Sequence, residues 1–201
     1  MASLYDLKPA FQQCLRPGVR MLADAGVTPN QVTAAALLLS CLLGGMIALF
    51  PTQRWPLLLV PAGLLLRMAL NAIDGMLARE YGMQSRFGGL LNELGDVCSD
   101  AALYLPFGLV PGVQPHLLVP TVVLAGISEM AGVLPVQIGA GRRYDGPMGK
   151  SDRALLFGVL ALLLGLGVPG GFWVGILLLL TAGLLLLTIA NRVRAGLREA
   201  A

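Results

Sequence analysis

Apolar residues fill six long stretches of the chain, and polar residues, proline and glycine collect between them. The stretches lie at about residues 30–50, 55–79, 88–110, 115–138, 151–168 and 171–191. Each is long enough for a helix to cross a hydrocarbon layer roughly 30 Å thick. Joins such as Pro111-Gly112 contain residues that end helices readily. The pattern therefore predicts an all-α integral membrane protein with six transmembrane helices.

The first 26 residues have a different pattern. Their apolar residues recur at three- and four-residue steps, at Leu4, Leu7, Phe11, Cys14, Leu15, Val19 and Leu22. Charged residues such as Arg16 and Arg20 fall on other faces. This spacing predicts an amphipathic helix over residues 1–26 that lies in the membrane interface. A six-helix transmembrane domain over residues 27–201 is expected to follow it.

The composition agrees with a membrane protein. Of the 201 residues, 56% are hydrophobic and 12% are charged, and the mean hydropathy is +0.77. With six spans, nearly all the cations between the runs fall on one side, which the positive-inside rule makes cytoplasmic. Both termini are therefore expected on the cytoplasmic side of a bacterial inner membrane, with lipids and not nucleic acid as surroundings. The three cysteines lack CxxC spacing and predict neither a zinc site nor a disulfide framework.

Acidic and amide side chains interrupt the second and third apolar runs. A charged residue near the centre of a spanning helix costs roughly 2.5–3.5 kcal/mol. Several together are therefore expected to share a polar site and not to face lipid. On each run they follow helical steps and share one face: Arg67, Asn71, Asp74 and Ala78 on run two, and Asn92, Glu93, Asp96 and Asp100 on run three.

Asp74 and Asp96 are predicted to lie at similar depths. Asp74 comes five residues before Arg79 at one end of run two, and Asp96 comes eight residues after Gly88 at the start of run three. At 1.5 Å per residue these positions are roughly 8 and 12 Å from the same membrane surface. Two antiparallel helices then present oxygen ligands to one shallow pocket that faces the cytoplasm. Such hard ligands favour Mg²⁺, Mn²⁺ or Ca²⁺ over zinc.

Small residues beside these acids would let an anion approach the backbone. Gly75 and Ala78 remove bulk next to Asp74. Gly88 opens the next helix, whose amino end favours phosphate. Arg79 adds a bidentate anion donor.

The polar residues of runs two and three follow one fixed spacing, Asn71-x2-Asp74-Gly75-x2-Ala78-Arg79-x8-Gly88-x3-Asn92-x3-Asp96. This spacing resembles the signature of the CDP-alcohol phosphotransferase family, written D-x2-D-G-x2-A-R-x8-G-x3-D-x3-D. The segment Thr28-Pro29-Asn30-x-Val32-Thr33 is similar to that family's entry to its first helix. The six predicted spans also agree with the core of the family.

The resemblance implies transfer of a phosphatidyl group from CDP-diacylglycerol to a hydroxyl acceptor, with release of CMP. The implied general base is Asp96, and the implied ligands of one or two Mg²⁺ or Mn²⁺ ions are Asn71, Asp74, Asn92 and Asp96. The implied contacts of the nucleotide and diphosphate are Asn30, Thr33, Gly75, Ala78, Arg79 and Gly88. The implied partners are a CDP-linked lipid donor, an alcohol acceptor and, as a homodimer, a second copy of the chain. Phosphoryl transfer depends chiefly on charge neutralisation and an oriented nucleophile, which such a site would supply.

Asn71 and Asn92 stand where the family signature has Asp. Asparagine can still bind a metal through its carbonyl oxygen, but the formal charge of the four positions falls from four negative to two. Glu93, adjacent to Asn92, is predicted to compensate either as a ligand or by contacting one.

Arg67 and Asp100 lie deeper than the signature residues. Arg67 is expected to pair across the bundle with an acidic residue such as Asp100 or Glu129. Asp100 fits a role as an additional ligand and a structural role equally well.

The join between runs four and five contains four cations, Arg142, Arg143, Lys150 and Arg153. They fit contact with anionic lipid and positive-inside charge. They fit equally well a pocket for lipid phosphate or for a phosphorylated acceptor such as glycerol phosphate. The sequence leaves both interpretations open.

Three other functions fit parts of the pattern. Within the same family, CDP-choline or CDP-ethanolamine can donate to diacylglycerol, and the signature does not separate the two directions. A membrane prenyltransferase also places Asp-rich helices around Mg²⁺, but it has two such motifs and more spans. A small ion-coupled transporter would hold acids in its spans, but here the polar groups lie near one surface and no inverted repeat is visible. Phosphatidyl transfer is therefore the leading interpretation.

Overall fold

The computed structural model describes residues 4–200, with side chains described from residue 11 onward. Those residues form helices and no β-strand, so the predicted all-α class is confirmed. The α-helices are α1 (Leu4–Asp24), α2 (Pro29–Leu49), α3 (Trp55–Glu80), α4 (Arg86–Tyr104), α5 (Pro115–Val133), α6 (Lys150–Gly165) and α7 (Phe172–Ala200). Two short 3₁₀ helices, Leu105–Leu109 and Leu134–Ile138, follow α4 and α5.

Side-chain caps fix the amino ends of α2 and α4. The Thr28 hydroxyl accepts a hydrogen bond from the Gln31 N–H, and the Gln31 side chain accepts one from the Thr28 N–H at 2.9 Å. The Ser85 hydroxyl accepts a hydrogen bond from the Gly88 N–H at 2.9 Å. The start of α2, which carries Asn30 and Thr33, and the start of α4, which carries Asn92 and Asp96, are therefore set by local sequence.

Four helical segments are long and apolar enough to cross a membrane: α2, α3, α5 with its 3₁₀ extension (Pro115–Ile138), and α7. Their outward faces expose large apolar side chains such as Leu65, Leu66 and Leu180. Together with the composition, these features make the chain a membrane protein. The third and fifth predicted spans correspond to α4, which carries three carboxylates, and to α6, which has only 16 residues.

Most helix bounds lie within a few residues of the predicted runs. The third and fourth runs each change from α-helix to 3₁₀-helix before their predicted ends. A proline, Pro106 or Pro135, occupies the second position of each 3₁₀ segment and removes one backbone donor. The last helix continues about ten residues past its apolar run, since a polar sequence can stay helical beyond the apolar stretch.

Close packing of α2 brings its amino end to both signature helices. The contacts of α2 are mainly with α3 and α4, while α3 packs on α6 and α5 on α7. A Cβ on Gly44 would overlap the Ala102 carbonyl, so this glycine permits the close approach of α2 and α4. In the apolar core, Tyr104 stacks on Phe157 with ring centroids 3.9 Å apart. This core anchors α4 behind the turn that carries Asp96.

Candidate active site

Thr33 joins α2 to the two helices that carry the signature. Its hydroxyl oxygen lies 2.9 Å from Asp74 Oδ2 on α3 and 3.0 Å from the Pro29 carbonyl. A Cβ on Gly95 of α4 would lie 3.4 Å from Thr33 Cγ2. Asp74 and the turn of α4 that contains Asp96 therefore flank one threonine. This arrangement is possible because both helix segments present small or polar residues to α2.

Asp96 contacts a single ammonium group. Lys150, the first residue of α6, places Nζ against Asp96 Oδ1. The exposed fractions of the two side chains are 28% for Lys150 and 15% for Asp96. A guanidinium nitrogen of Arg67 lies 3.4 Å from the Asp96 carbonyl oxygen and so fixes the backbone of this turn. Asp96 therefore stays accessible while its helix is held in place.

The oxygen donors at the signature positions fit a hard divalent cation that is bound by few negative charges. Asp74 and Asp96 supply carboxylates, and the half-buried Asn71 and Asn92 supply amide oxygens. Among the residues that the structure describes, no three His, Cys, Asp or Glu side chains converge as a metal-holding group. The ammonium of Lys150 beside Asp96 shows that a cation is accepted at this carboxylate.

Glu93, predicted to restore charge to the site, lies in an ion pair. Its Oε1 is 2.5 Å from a guanidinium nitrogen of Arg142. The same guanidinium lies 3.9 Å from Glu129 Oε2 and 4.8 Å from the centroid of the Tyr144 ring. The charge of Glu93 is therefore directed toward the loop after α5.

A buried ion-pair network lies one turn deeper than Asp96 and consists of Arg67, Asp100, Glu129, Arg153 and Arg192. Asp100 accepts hydrogen bonds from Arg67 at 2.7 Å and from Arg153 at 2.9 Å, which confirms the predicted Arg67–Asp100 pair. Arg153 also donates to Glu129 at 2.8 Å, and Arg192 lies 3.7 Å from the same carboxylate. Asp100 is 5% exposed and Arg153 is 1% exposed. The network therefore ties α3, α4, α5, α6 and α7 together.

The four cations predicted to bind an acceptor or lipid phosphate each have a carboxylate partner within the described residues. Arg143 pairs with Asp145 at 3.0 Å and with Glu199 at 2.5 Å. The hydrogen bond from Arg143 lowers the pKa of the exposed Asp145 carboxyl. Arg142 and Lys150 are half-buried beside Glu93 and Asp96, whereas Arg153 belongs to the buried network. Three of these cations are thus similarly exposed, at 25–28%, and only Arg153 is buried, at 1%.

The predicted nucleotide contacts lie in the first turns of α2 and α4 and in the last turns of α3. A Cβ on Gly88 would lie 2.7 Å from the Asn30 side-chain oxygen, so Asn30 covers the first turn of α4. A Cβ on Gly75 would lie 2.9 Å from a guanidinium nitrogen of Arg79, which folds back along α3. Ala78 is half-buried on the same helix. The two glycines therefore leave room for the polar side chains of Asn30 and Arg79.

The contact between Arg192 and Ser128 was not predicted from the sequence. A guanidinium nitrogen of Arg192 donates to the Ser128 carbonyl at 2.5 Å, and Arg192 is almost fully buried. In the sequence Arg192 counts as one more cation after the last apolar run. Glu129, the one acidic residue within run four, could have indicated this contact. A carboxylate inside a span is expected to have a cationic partner.

Comparison with known proteins gives three consistent findings. The model of the CDP-alcohol phosphatidyltransferase family matches residues 26–190. Inner membrane protein YnbA of Escherichia coli K12 is 45% identical over 195 residues, covering 97% of this chain and 96% of its own length. Phosphatidylinositol phosphate synthase of Corynebacterium glutamicum is 30% identical over 202 residues, covering 98% and 90%.

The fold is also found in a solved structure. The crystal structure of phosphatidylinositol phosphate synthase (PgsA1) of Mycobacterium tuberculosis with CDP-DAG bound has a TM-score of 0.73 at 18% identity and covers 92% of each chain. The same enzyme in complex with manganese and citrate has a TM-score of 0.73 at 20% identity, covering 90% of this chain and 88% of that one. At this identity the likeness shows a shared fold.

Proposed function

The chain belongs to the CDP-alcohol phosphatidyltransferase family, and we propose that it transfers a phosphatidyl group from CDP-diacylglycerol to a phosphorylated polyol. The observation that carries this proposal is the convergence on Thr33 of Asp74 and the turn that holds Asp96. That convergence brings the two remaining carboxylates of the signature to one threonine, with Asp74 buried and Asp96 partly exposed. A CDP-linked lipid bound to a distant relative of the same fold supports the choice of donor.

The reaction displaces CMP from the lipid phosphate. A hydroxyl oxygen of the acceptor attacks the phosphorus that bears diacylglycerol, the bond from that phosphorus to the bridging oxygen breaks, and CMP leaves. We assign Asp96 as the base that takes the hydroxyl proton, since it is the signature carboxylate on α4 and its side chain is 15% exposed. Asn71, Asp74, Asn92 and Asp96 would hold a bound Mg²⁺ or Mn²⁺, which neutralises the diphosphate.

Residues on α2 and α4 would position the nucleotide end of the donor. Asn30 and Gly88 lie against each other at the two helix starts, where backbone N–H groups favour an anion. Thr33 orients the Asp74 carboxylate from the same helix as Asn30. Gly75 and Ala78 leave room at α3, and Arg79 can swing toward a phosphate.

A phosphorylated acceptor fits the cations beside the site. Arg142 and Lys150 are half-buried next to Glu93 and Asp96, and Arg143 follows in the same loop. A relative that matches nearly the full chain is named phosphatidylinositol phosphate synthase, which supports a phosphorylated polyol as acceptor. We assign Arg153 to the buried network and not to the acceptor, because two carboxylates and nearly complete burial occupy it.

We propose that α4 and α6 also cross the membrane, which gives six spans. The three carboxylates of α4 pair with cations of neighbouring segments: Asp100 with Arg67, Asp96 with Lys150 and Glu93 with Arg142. Their charges are therefore compensated within the protein. In this arrangement α1 lies in the interface, where Arg16 pairs with Glu80 at the end of α3. The termini and the site then face the cytoplasm, and the chain works as a homodimer.

The test is a transfer assay with purified protein, CDP-diacylglycerol, Mn²⁺ and a panel of acceptors. Inositol phosphate and glycerol phosphate are compared with inositol, glycerol and serine, and the lipid product is identified by mass. We expect CMP release and a lipid product with phosphorylated polyols only. A product from CDP-choline and diacylglycerol would reverse the donor assignment. Absence of CMP release with every acceptor would contradict the proposed reaction.

A further inference from the structure

The charge at the signature positions is too low for two divalent cations. Asp74 and Asp96 contribute two negative charges, and Asn71 and Asn92 contribute none. Two divalent ions would bring four positive charges to these ligands. A site with two carboxylates is better matched to one ion, because the charge of the ligands sets the affinity for hard cations.

The neighbouring acids do not restore the missing charge. Glu93 pairs with Arg142 at 2.5 Å. Asp100 pairs with Arg67 at 2.7 Å and with Arg153 at 2.9 Å, deep in the buried network. Moving either carboxylate to the metal would leave a guanidinium behind with less compensation, and for the buried arginines this is costly.

Lys150 further reduces the net negative charge at the metal ligands, because its ammonium lies beside Asp96. Its Nζ contacts Asp96 Oδ1, and its backbone is held at the first turn of α6. The start of α6 is itself fixed, since Asp152 accepts a hydrogen bond from the Gly149 N–H at 2.9 Å. An ammonium therefore lies at a signature carboxylate that could otherwise bind a second metal ion.

We propose that this site holds one divalent cation and that Lys150 supplies the positive charge that a second cation would provide. The inference rests on the proposed phosphatidyl transfer and refines how its site is built. One ion is held by the carboxylates of Asp74 and Asp96 with the two amides. Lys150 stays next to Asp96, where its ammonium would neutralise charge on a bound diphosphate.

The test counts Mn²⁺ bound by the purified full-length protein, using the electron paramagnetic resonance signal of unbound Mn²⁺ at saturation. We expect one Mn²⁺ per chain in the natural protein. We expect two in a variant that combines Asn71→Asp, Asn92→Asp and Lys150→Met. Two ions in the natural protein, with metal-dependent CMP release intact, would overturn this inference alone. No bound Mn²⁺ in the natural protein would also overturn this inference. One bound Mn²⁺ without CMP release from any acceptor would instead overturn the proposed function and leave the metal count standing.

A second measurement separates the charge of Lys150 from a structural role. Removal of a nearby positive charge should strengthen Mn²⁺ binding about tenfold, while a missing charge on the diphosphate should lower kcat. Lys150→Met is therefore expected to bind Mn²⁺ more tightly and to turn over more slowly. Arg194→Met, which removes an exposed cation from α7, is the matched control and should change neither. Weaker or unchanged Mn²⁺ binding in well-folded Lys150→Met would contradict the assignment.

Discussion

Asp96 and Asp100 lie one helical turn apart on α4, yet their surroundings differ completely. Asp96 contacts one partly exposed ammonium, and its side chain remains 15% exposed. Asp100 accepts hydrogen bonds from two buried arginines, Arg67 and Arg153, and its side chain is 7% exposed. The shallow carboxylate therefore has capacity for a ligand, whereas the deeper one has its charge fully compensated within the protein.

This contrast shows how one helix divides its charges between chemistry and folding. A carboxylate with two buried guanidinium partners gains strong hydrogen bonds but cannot leave them cheaply. Lys150 contacts only Oδ1 of Asp96, which leaves Oδ2 for a metal ion or a substrate proton. The role of each carboxylate thus follows from its position on α4, because Asp96 is partly exposed and Asp100, one turn further, is buried.

The contrast is tested most strongly by Asp96→Asn. Loss of the base should lower kcat for CMP release by about 10²–10⁴-fold, while the unfolding temperature should change little because Asp96 is partly exposed. Activity and thermal unfolding are measured on the same preparation. Asp24→Asn, at an exposed acid that ends α1, serves as control. Activity near that of the natural protein would remove Asp96 from the reaction.

Asp100→Asn should have the opposite profile. It leaves Arg67 and Arg153 buried with less negative charge, which should lower the free energy of unfolding by about 3–5 kcal/mol. Thermal unfolding in detergent measures the loss. Arg67→Met added to Asp100→Asn should cost less than the sum of the single changes, because one pair is removed in both. If the losses in the free energy of unfolding simply add, the interaction between Arg67 and Asp100 contributes nothing to stability.

The sequence predicted the fold class and the composition of the site, but it did not predict how the charges pair. Helical period and apolar length place Asp74, Asp96 and Asp100 on inward faces, since these follow from local geometry. The partners of Glu93 and Asp96 come from residues roughly 50 positions away, and no local pattern encodes such a distance. For the same reason the sequence left open whether Lys150 binds an anion or only adds positive-inside charge, and its contact with Asp96 depends on how α6 packs.

Thr33→Val tests whether the shallow region depends on precise orientation of its ligands. Valine keeps the shape but removes the hydroxyl that lies 2.9 Å from Asp74, and a hydrogen bond to a charged group contributes about 1.5–3 kcal/mol. We expect Mn²⁺ affinity to fall by about tenfold. Thr181→Val removes a buried hydroxyl that donates to the Leu177 carbonyl within α7 and should leave Mn²⁺ binding unchanged. Equal effects of the two variants would mean that Thr33 acts only through packing.

Glu93→Gln should have the smallest effect, because Glu93 contacts neither Asp96 nor the buried arginines around Asp100. Its charge is neutralised by Arg142, which retains Glu129 as a second partner 3.9 Å away, and half-exposed pairs contribute about 0–1 kcal/mol. We therefore expect the Mn²⁺ dissociation constant to change by less than about threefold, as measured by titration of Mn²⁺-dependent CMP release. A tenfold weaker affinity would instead make Glu93 the compensating ligand that the charge deficit predicts. The metal site would then include Glu93 in spite of its ion pair with Arg142. Asp100 would be the only acidic residue of α4 with a purely structural role.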